Sequence, residues 1–221
     1  MDLMSYLLGK NSSGGGGGGA ITDYIDDTIN FDTVSTGGFN LLVKKLPTIK
    51  ITSNVKQLMN AFQKYQGTSI NFDFENSDFS NVTNISYMFI DCVNLREIDM
   101  SGFISNNKIT TMSMAFGGCS ELRKVDISGI SVMQSANINT LFYNCKKLAV
   151  IDISGLINPI IISSYYQDMF YDCGINCLAS DGAYADGIPY IYVHDETMQN
   201  FILNTTSHPE GWSTANVVIK E

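Results

Sequence analysis

Phe116-Gly-Gly-Cys119-Ser-Glu-Leu122-Arg-Lys-Val125-Asp126-Ile127-Ser128-Gly129 holds two motifs in order: Phe-x-x-Cys, then Leu-x-x-apolar-Asp-apolar-Ser-Gly. Both recur around it. Phe89 with Cys92 precedes Leu95-Arg-Glu-Ile98-Asp99-Met100-Ser101-Gly102, and Phe142 with Cys145 precedes Leu148-Ala-Val-Ile151-Asp152-Ile153-Ser154-Gly155. Phe170 with Cys173 adds another copy, so successive cysteines stand 27, 26 and 28 residues apart, and Phe62 with Tyr65 extends the series toward the N-terminus. A period of this length marks a stacked repeat, in which each copy covers its apolar layer only against its neighbours.

The Leu-x-x-apolar-Asp-apolar half alternates apolar and polar residues, so it reads as a strand. Weaker copies are Leu46-Pro-Thr-Ile49-Lys50-Ile51, Phe72-Asp73-Phe74 and Ile191-Tyr192-Val193, which brings the count to about six coils sharing one parallel sheet. The other half of each repeat carries apolar residues at helical spacing, such as Val55, Leu58, Met59 and Phe62, or Val82, Ile85, Met88 and Phe89. That spacing predicts one or two helical turns on the opposite face. Asp195 opens an expected helix, Glu196 to Leu203, and Ala215 to Lys220 reads as a closing strand. The fold class is therefore an α/β repeat: a leucine-rich-repeat solenoid with a sheet on one face, short helical turns on the other and a C-terminal helix-strand cap.

The repeat from Asn81-Val-Thr-Asn-Ile-Ser-Tyr-Met88-Phe89 to Leu95-Arg-Glu-Ile98-Asp99-Met100-Ser101 resembles the BspA-like leucine-rich repeat family of bacterial surface proteins and related repeats in bacteriophage proteins. The resemblance covers about residues 40 to 194, and the C-terminal segment is similar to that family's cap. It implies adhesion or recognition and a non-enzymatic role. The short apolar opening followed by a glycine run is more similar to the N-termini of phage virion accessory proteins, which implies attachment to a particle.

Outside the repeat, the chain divides into an apolar peptide (1–8), a Gly/Ser linker (9–19), an N-terminal cap (20–45), the solenoid (46–194) and a C-terminal cap (195–221). Gly14 to Gly19 are consecutive glycines, and a stretch of this composition behaves as a flexible tether. Leu3, Met4, Tyr6, Leu7 and Leu8 are then the expected assembly anchor, with virion structural proteins as their partner. Asp2 stands where a secretion signal would carry a basic residue, so no such signal is read. The expected location is the virion, with the bacterial cell surface as the alternative.

Charge narrows the function. Thirteen Lys and Arg against 22 Asp and Glu give a net charge of −9, which is poorly suited to neutralising nucleic-acid phosphates. No window of the sequence has the run of apolar residues needed to insert in a membrane. Motifs for nucleophilic or phosphate chemistry are missing: there is no Gly-x-Ser-x-Gly, and the glycine run lacks the Lys-Ser/Thr ending of a phosphate loop. No enzyme, metal or cofactor is expected. Cys173 and Cys177 have no histidine at ligand spacing, and the cysteine column reads as buried free thiols.

Two binding features remain. Asp73, Asp99, Asp126 and Asp152 would stack as an acidic stripe, and adjacent like charges on a sheet are unfavourable unless something offsets them. Either the following Ser and Gly donate hydrogen bonds, or a cation or basic partner lies on the stripe, with Lys50 supplying part of the compensation. The second feature is aromatic: Tyr165, Tyr166, Tyr184 and Tyr192, near the insertion Ala179 to Gly187, form a candidate binding surface for a host-surface protein or glycan.

Overall fold

The computed structural model describes residues 24–25, 49–51, 53, 55–105, 108–157, 168–205 and 207–220. The anchor residues Leu3, Met4, Tyr6, Leu7 and Leu8, the glycine linker, and Tyr165 and Tyr166 lie outside them.

Among the described residues the strands are β1 Tyr24–Ile25, β2 Lys50–Ile51, β3 Glu97–Asp99, β4 Ile109–Thr111, β5 Lys124–Asp126, β6 Val132–Asn137, β7 Val150–Asp152, β8 Tyr190–Val193 and β9 Val217–Ile219, with the helix α1 Glu196–Thr205 between the last two. All strand pairs are parallel. The main sheet has the order β3-β5-β7-β8-β9, and its register brings Ile98, Val125, Ile151, Ile191 and Val217 into one inward row. Every residue of that row is buried. Two smaller pairs, β1 with β2 and β4 with β6, complete the ladders. The architecture is thus a parallel β-solenoid.

Among the described residues about four turns are complete, against the six counted from the repeats. The Lys50 copy enters only through a two-residue strand and the Phe72 copy only through its bridge to Ile49, so neither joins the main sheet. Phe72-Asp73-Phe74 also lacks the Ser-Gly ending.

The face opposite the main sheet corrects the expectation of helical turns. In Leu58 to Tyr65, alternate amides leave the segment: Leu58 donates to the Asn84 carbonyl, Asn60 to Ser86, Phe62 to Met88 and Lys64 to Ile90. The intervening amides of Ala61, Gln63 and Tyr65 close four-residue turns onto Leu58, Asn60 and Phe62. The following coils repeat the scheme. An amide spent on the next coil cannot close an i to i−4 bond, so the segment becomes a ribbon of tight turns rather than a helix. Each ribbon carries two left-handed residues four apart: Asn60 and Lys64, Tyr87 and Asp91, Met114 and Gly118, Thr140 and Asn144, Asp168 and Asp172. The apolar spacing still predicts the buried side: Val55, Leu58, Phe62, Val82, Ile85, Met88 and Phe89 are all core residues, while Met59 is half-buried.

The core is a stack of identical residues. Phe62, Phe89, Phe116, Phe142 and Phe170 lie nearly parallel, with centroid spacings of 5.2, 5.4, 5.5 and 5.6 Å. Trp212 meets Phe170 edge-on at 5.1 Å and closes the stack. His208 lies flat on the indole at 4.9 Å. Beside the stack runs the cysteine column. Cys92, Cys119, Cys145, Cys173 and Cys177 are free and buried, and the thiols of Cys92, Cys119 and Cys145 donate to the carbonyls of Phe62, Phe89 and Phe116 at 3.1, 3.1 and 3.0 Å. The thiols therefore satisfy a polar backbone group as well as filling space. Burial raises the pKa of Cys92 and Cys173, and the neighbouring Cys145 thiol raises that of Cys119. Since only the thiolate is nucleophilic, native protein is expected to show no rapid labelling by a thiol-specific disulfide reagent, with all five thiols reacting once it is unfolded. Fast labelling of native protein would contradict the buried column.

At the C-terminal end, Asp195 Oδ1 accepts from the Met198 amide at 2.9 Å, which starts α1. Met198, Phe201 and Ile202 are buried, and Gln199 Nε2 reaches back to the Val217 carbonyl at 2.7 Å. α1 thereby lies against β9 and occupies a carbonyl at the edge of the sheet.

Candidate binding face on the main sheet

The Asp-x-Ser sequence builds the outer side of the main sheet. Asp99 Oδ1 accepts from the Ser101 amide and hydroxyl at 2.8 and 2.6 Å, and Asp126 repeats this with Ser128 at 2.9 and 2.6 Å. Asp152 does the same with Ser154, at 3.0 and 2.6 Å. Each carboxylate is thus held by two donors two residues ahead, which fixes its rotamer and satisfies one oxygen. Sheet register places Asp99, Asp126 and Asp152 side by side, one strand spacing of about 4.8 Å apart. Asp73 departs from the stripe expected from sequence: it accepts from Asn76 Nδ2 at 3.0 Å and from the Asn76 amide at 3.1 Å, and it lies outside the main sheet.

Compensation for the stacked charges comes from a residue that the repeats do not announce. Lys220 Nζ, just beyond β9, donates to Asp152 Oδ2 at 2.5 Å. Asp152 is buried, and its hydrogen bond to Lys220 raises the lysine's pKa. The side chain of Lys50, considered for this role from sequence, is not among those described. Next to Asp152 in register stands Tyr192, and next to Val150 stands Tyr190. Their rings stack at 6.2 Å, and Tyr184 meets Tyr190 edge-on at 5.5 Å. Tyr184 is 45% exposed and Tyr192 half-buried, and these two members of the aromatic surface are joined through Tyr190 on β8.

The insertion is ordered against the starts of β5 and β7. Ala179–Asp181 forms a 3-10 turn, Asp181 pairs with Arg123 at 2.7 Å, and Ala179 donates to Asp186 Oδ1 at 2.9 Å. Ala183 and Cys177 pack with Ala149 in a small separate cluster touching Val150. A groove of about 290 Å³ results across β3, β5, β7 and β8, lined by the side chains of Glu97, Asp99, Lys124, Asp126, Val150, Asp152 and Tyr192, with the inward-facing Ile98 and Val125 beneath it. Sequence reasoning missed Glu97, Lys124 and Lys220, and it left Tyr190 out of the favoured tyrosines. The first two occupy the position two before the repeat Asp and follow from the alternation; Lys220 is 68 residues from its partner and carries no local signal.

Among the described residues, no group of three or more His, Cys, Asp or Glu is placed to hold a metal ion, and no helix is long and apolar enough to cross a membrane. A family model described as a Mycoplasma protein of unknown function, DUF285, matches residues 56–174, more than half of the chain. No curated protein and no solved structure matches. The matched span contains the whole phenylalanine stack and all four repeat Asp residues, and it stops before Tyr184, Tyr190, Tyr192 and Lys220.

Proposed function

The chain belongs to the DUF285 family, and on that footing we propose that it is a non-enzymatic structural and binding module that presents the groove of its main sheet to a partner. The observation that carries this reading is the groove itself. Its carboxylates are held in one rotamer by Ser101, Ser128 and Ser154, and its tyrosines are fixed by mutual packing, so recognition groups stand preorganised on a rigid sheet. In this reading the body is of the leucine-rich-repeat type, and α1 and β9 act as the cap that covers its last apolar layer.

Attachment falls to the N-terminus. Leu3, Met4, Tyr6, Leu7 and Leu8 would bury in a site on a bacteriophage particle, each large apolar side chain contributing roughly 1.5–3 kcal/mol before ordering costs. The glycine linker lets the body search for a host-surface protein or glycan, and many copies per particle add avidity. Mass spectrometry of purified phage particles tests this. The full chain is expected in particles and a form lacking residues 1–19 is expected to be absent from them, although its melting temperature is unchanged. A second reading, a bacterial cell-surface adhesin-like protein, is favoured by the family description, which names Mycoplasma, a cellular organism. Recovery of the full chain from cell envelopes and not from particles would establish that reading in place of the first. Under the first reading, Tyr192→Arg is expected to abolish binding of the body to host bacterial cells, and undiminished binding would remove the groove from the proposal.

A further inference from the structure

We infer that the groove takes an extended, lysine-bearing polypeptide segment, whose ammonium groups seat on Asp126 and Asp99 as Lys220 seats on Asp152. This rests on the reading of the sheet face as the binding surface. The three rungs share one geometry: Oδ1 is saturated by the serine two residues on, which leaves Oδ2 as the acceptor. On the Asp152 rung that acceptor holds the ammonium of a lysine supplied by the end of the chain. Among the described residues, no hydrogen-bond donor meets Oδ2 of Asp99 or Asp126. The chain therefore shows, on its own third rung, the chemistry that the other two accept.

Charge complementarity points the same way. Glu97, Asp99, Asp126 and Asp152 line the groove against Lys124, with Lys220 already committed to Asp152, so the face stays acidic on a chain of net charge −9. An acidic face of this kind attracts a basic partner and repels an acidic one. The rungs lie about 4.8 Å apart, and alternate side chains of an extended peptide lie about 6.8 Å apart on one side. The four-carbon stem of lysine spans that difference. The stem also lies over Val150, the half-buried apolar residue on this face, as snorkelling lysines do.

The test uses the full chain and fluorescence anisotropy of a labelled Lys-Thr-Lys-Thr-Lys-Thr peptide at low ionic strength, with the Glu-Thr analogue as control. Asp99→Asn with Asp126→Asn keeps an amide oxygen for the serine donors, so the rungs retain their local hydrogen bonds. Glu210→Gln removes an exposed carboxylate outside the groove. The double variant is expected to weaken lysine-peptide binding about tenfold or more, and Glu210→Gln to leave it within about twofold. Absence of binding to the wild type, or equal binding by the double variant and Glu210→Gln, would overturn the inference. If either result came with loss of cell binding by Tyr192→Arg, the groove would remain the binding face and only its lysine-bearing occupant would be wrong.

Discussion

Gly129→Ala is expected to destabilise the protein by about 3 kcal/mol or more, a larger effect than most single-methyl additions produce. A Cβ at Gly129 would fall on the carbonyl oxygen of Ser101, with the Ser101 carbonyl carbon at 2.7 Å and the Met100 oxygen at 3.1 Å. All three atoms are backbone, and they belong to the adjacent coil. Relief therefore requires the two coils to move apart, which would stretch the hydrogen bond from the Met100 amide to the Asp126 carbonyl, now 2.7 Å, and the pairing of β3 with β5. Gly155 is confined in the same way by the Ser128 and Ile130 carbonyl oxygens. Gly102 supplies the contrast: its Cβ would meet Phe74 Cγ at 2.4 Å and Phe74 Cβ at 2.7 Å, and since rotation of this half-buried side chain turns the ring away but leaves its Cβ, Gly102→Ala is expected to cost about 1–3 kcal/mol, less than Gly129→Ala. Urea denaturation of the two variants checks the ordering. Equal midpoints would show that the glycine at this turn is not set by coil approach.

Phe116→Ala is expected to cost about 3–5 kcal/mol, the range for removing a buried aromatic ring. Phe116 is fully buried at the middle of the stack, 5.4 Å from Phe89 and 5.5 Å from Phe142, so its loss leaves a cavity and breaks two ring contacts at once. Neighbouring coils are the sole packing partners of a solenoid coil, so damage at one rung weakens the coupling between the halves on either side. The chain has a single tryptophan, Trp212, which reports on the C-terminal half alone. In Phe116→Ala, Trp212 fluorescence and far-UV circular dichroism are expected to follow separate transitions, whereas wild type melts with both together. Coincident transitions with a midpoint near that of wild type would contradict the stacked core.

Much of this architecture is legible from residue types alone. The recurrence of Phe-x-x-Cys identifies both columns of the core, and Asp-x-Ser-Gly identifies the outer rungs along with the turn that brings coils into contact. Helical turns are misread because burial at i, i+3 and i+7 constrains which side faces inward and says nothing about where the amides donate. In Leu58 to Tyr65 they donate across coils, and a ribbon with the same inward face but a different backbone results. The acidic stripe is partly misread for a related reason: Asp73 has the repeat position without the Ser-Gly that clamps Asp99, Asp126 and Asp152.

By itself, then, the sequence determined the repeat, its period, the parallel sheet and the identity of the residues in each column, because a solenoid is built from local contacts that recur at fixed spacing. The tertiary structure decided what completes those columns. Trp212 closing the phenylalanine stack, Lys220 seated on Asp152, and Arg123 holding Asp181 of the insertion all join residues that no repeat relates. Contacts of that kind depend on where the last coil ends and how the chain returns over it, and only the assembled solenoid brings those places together.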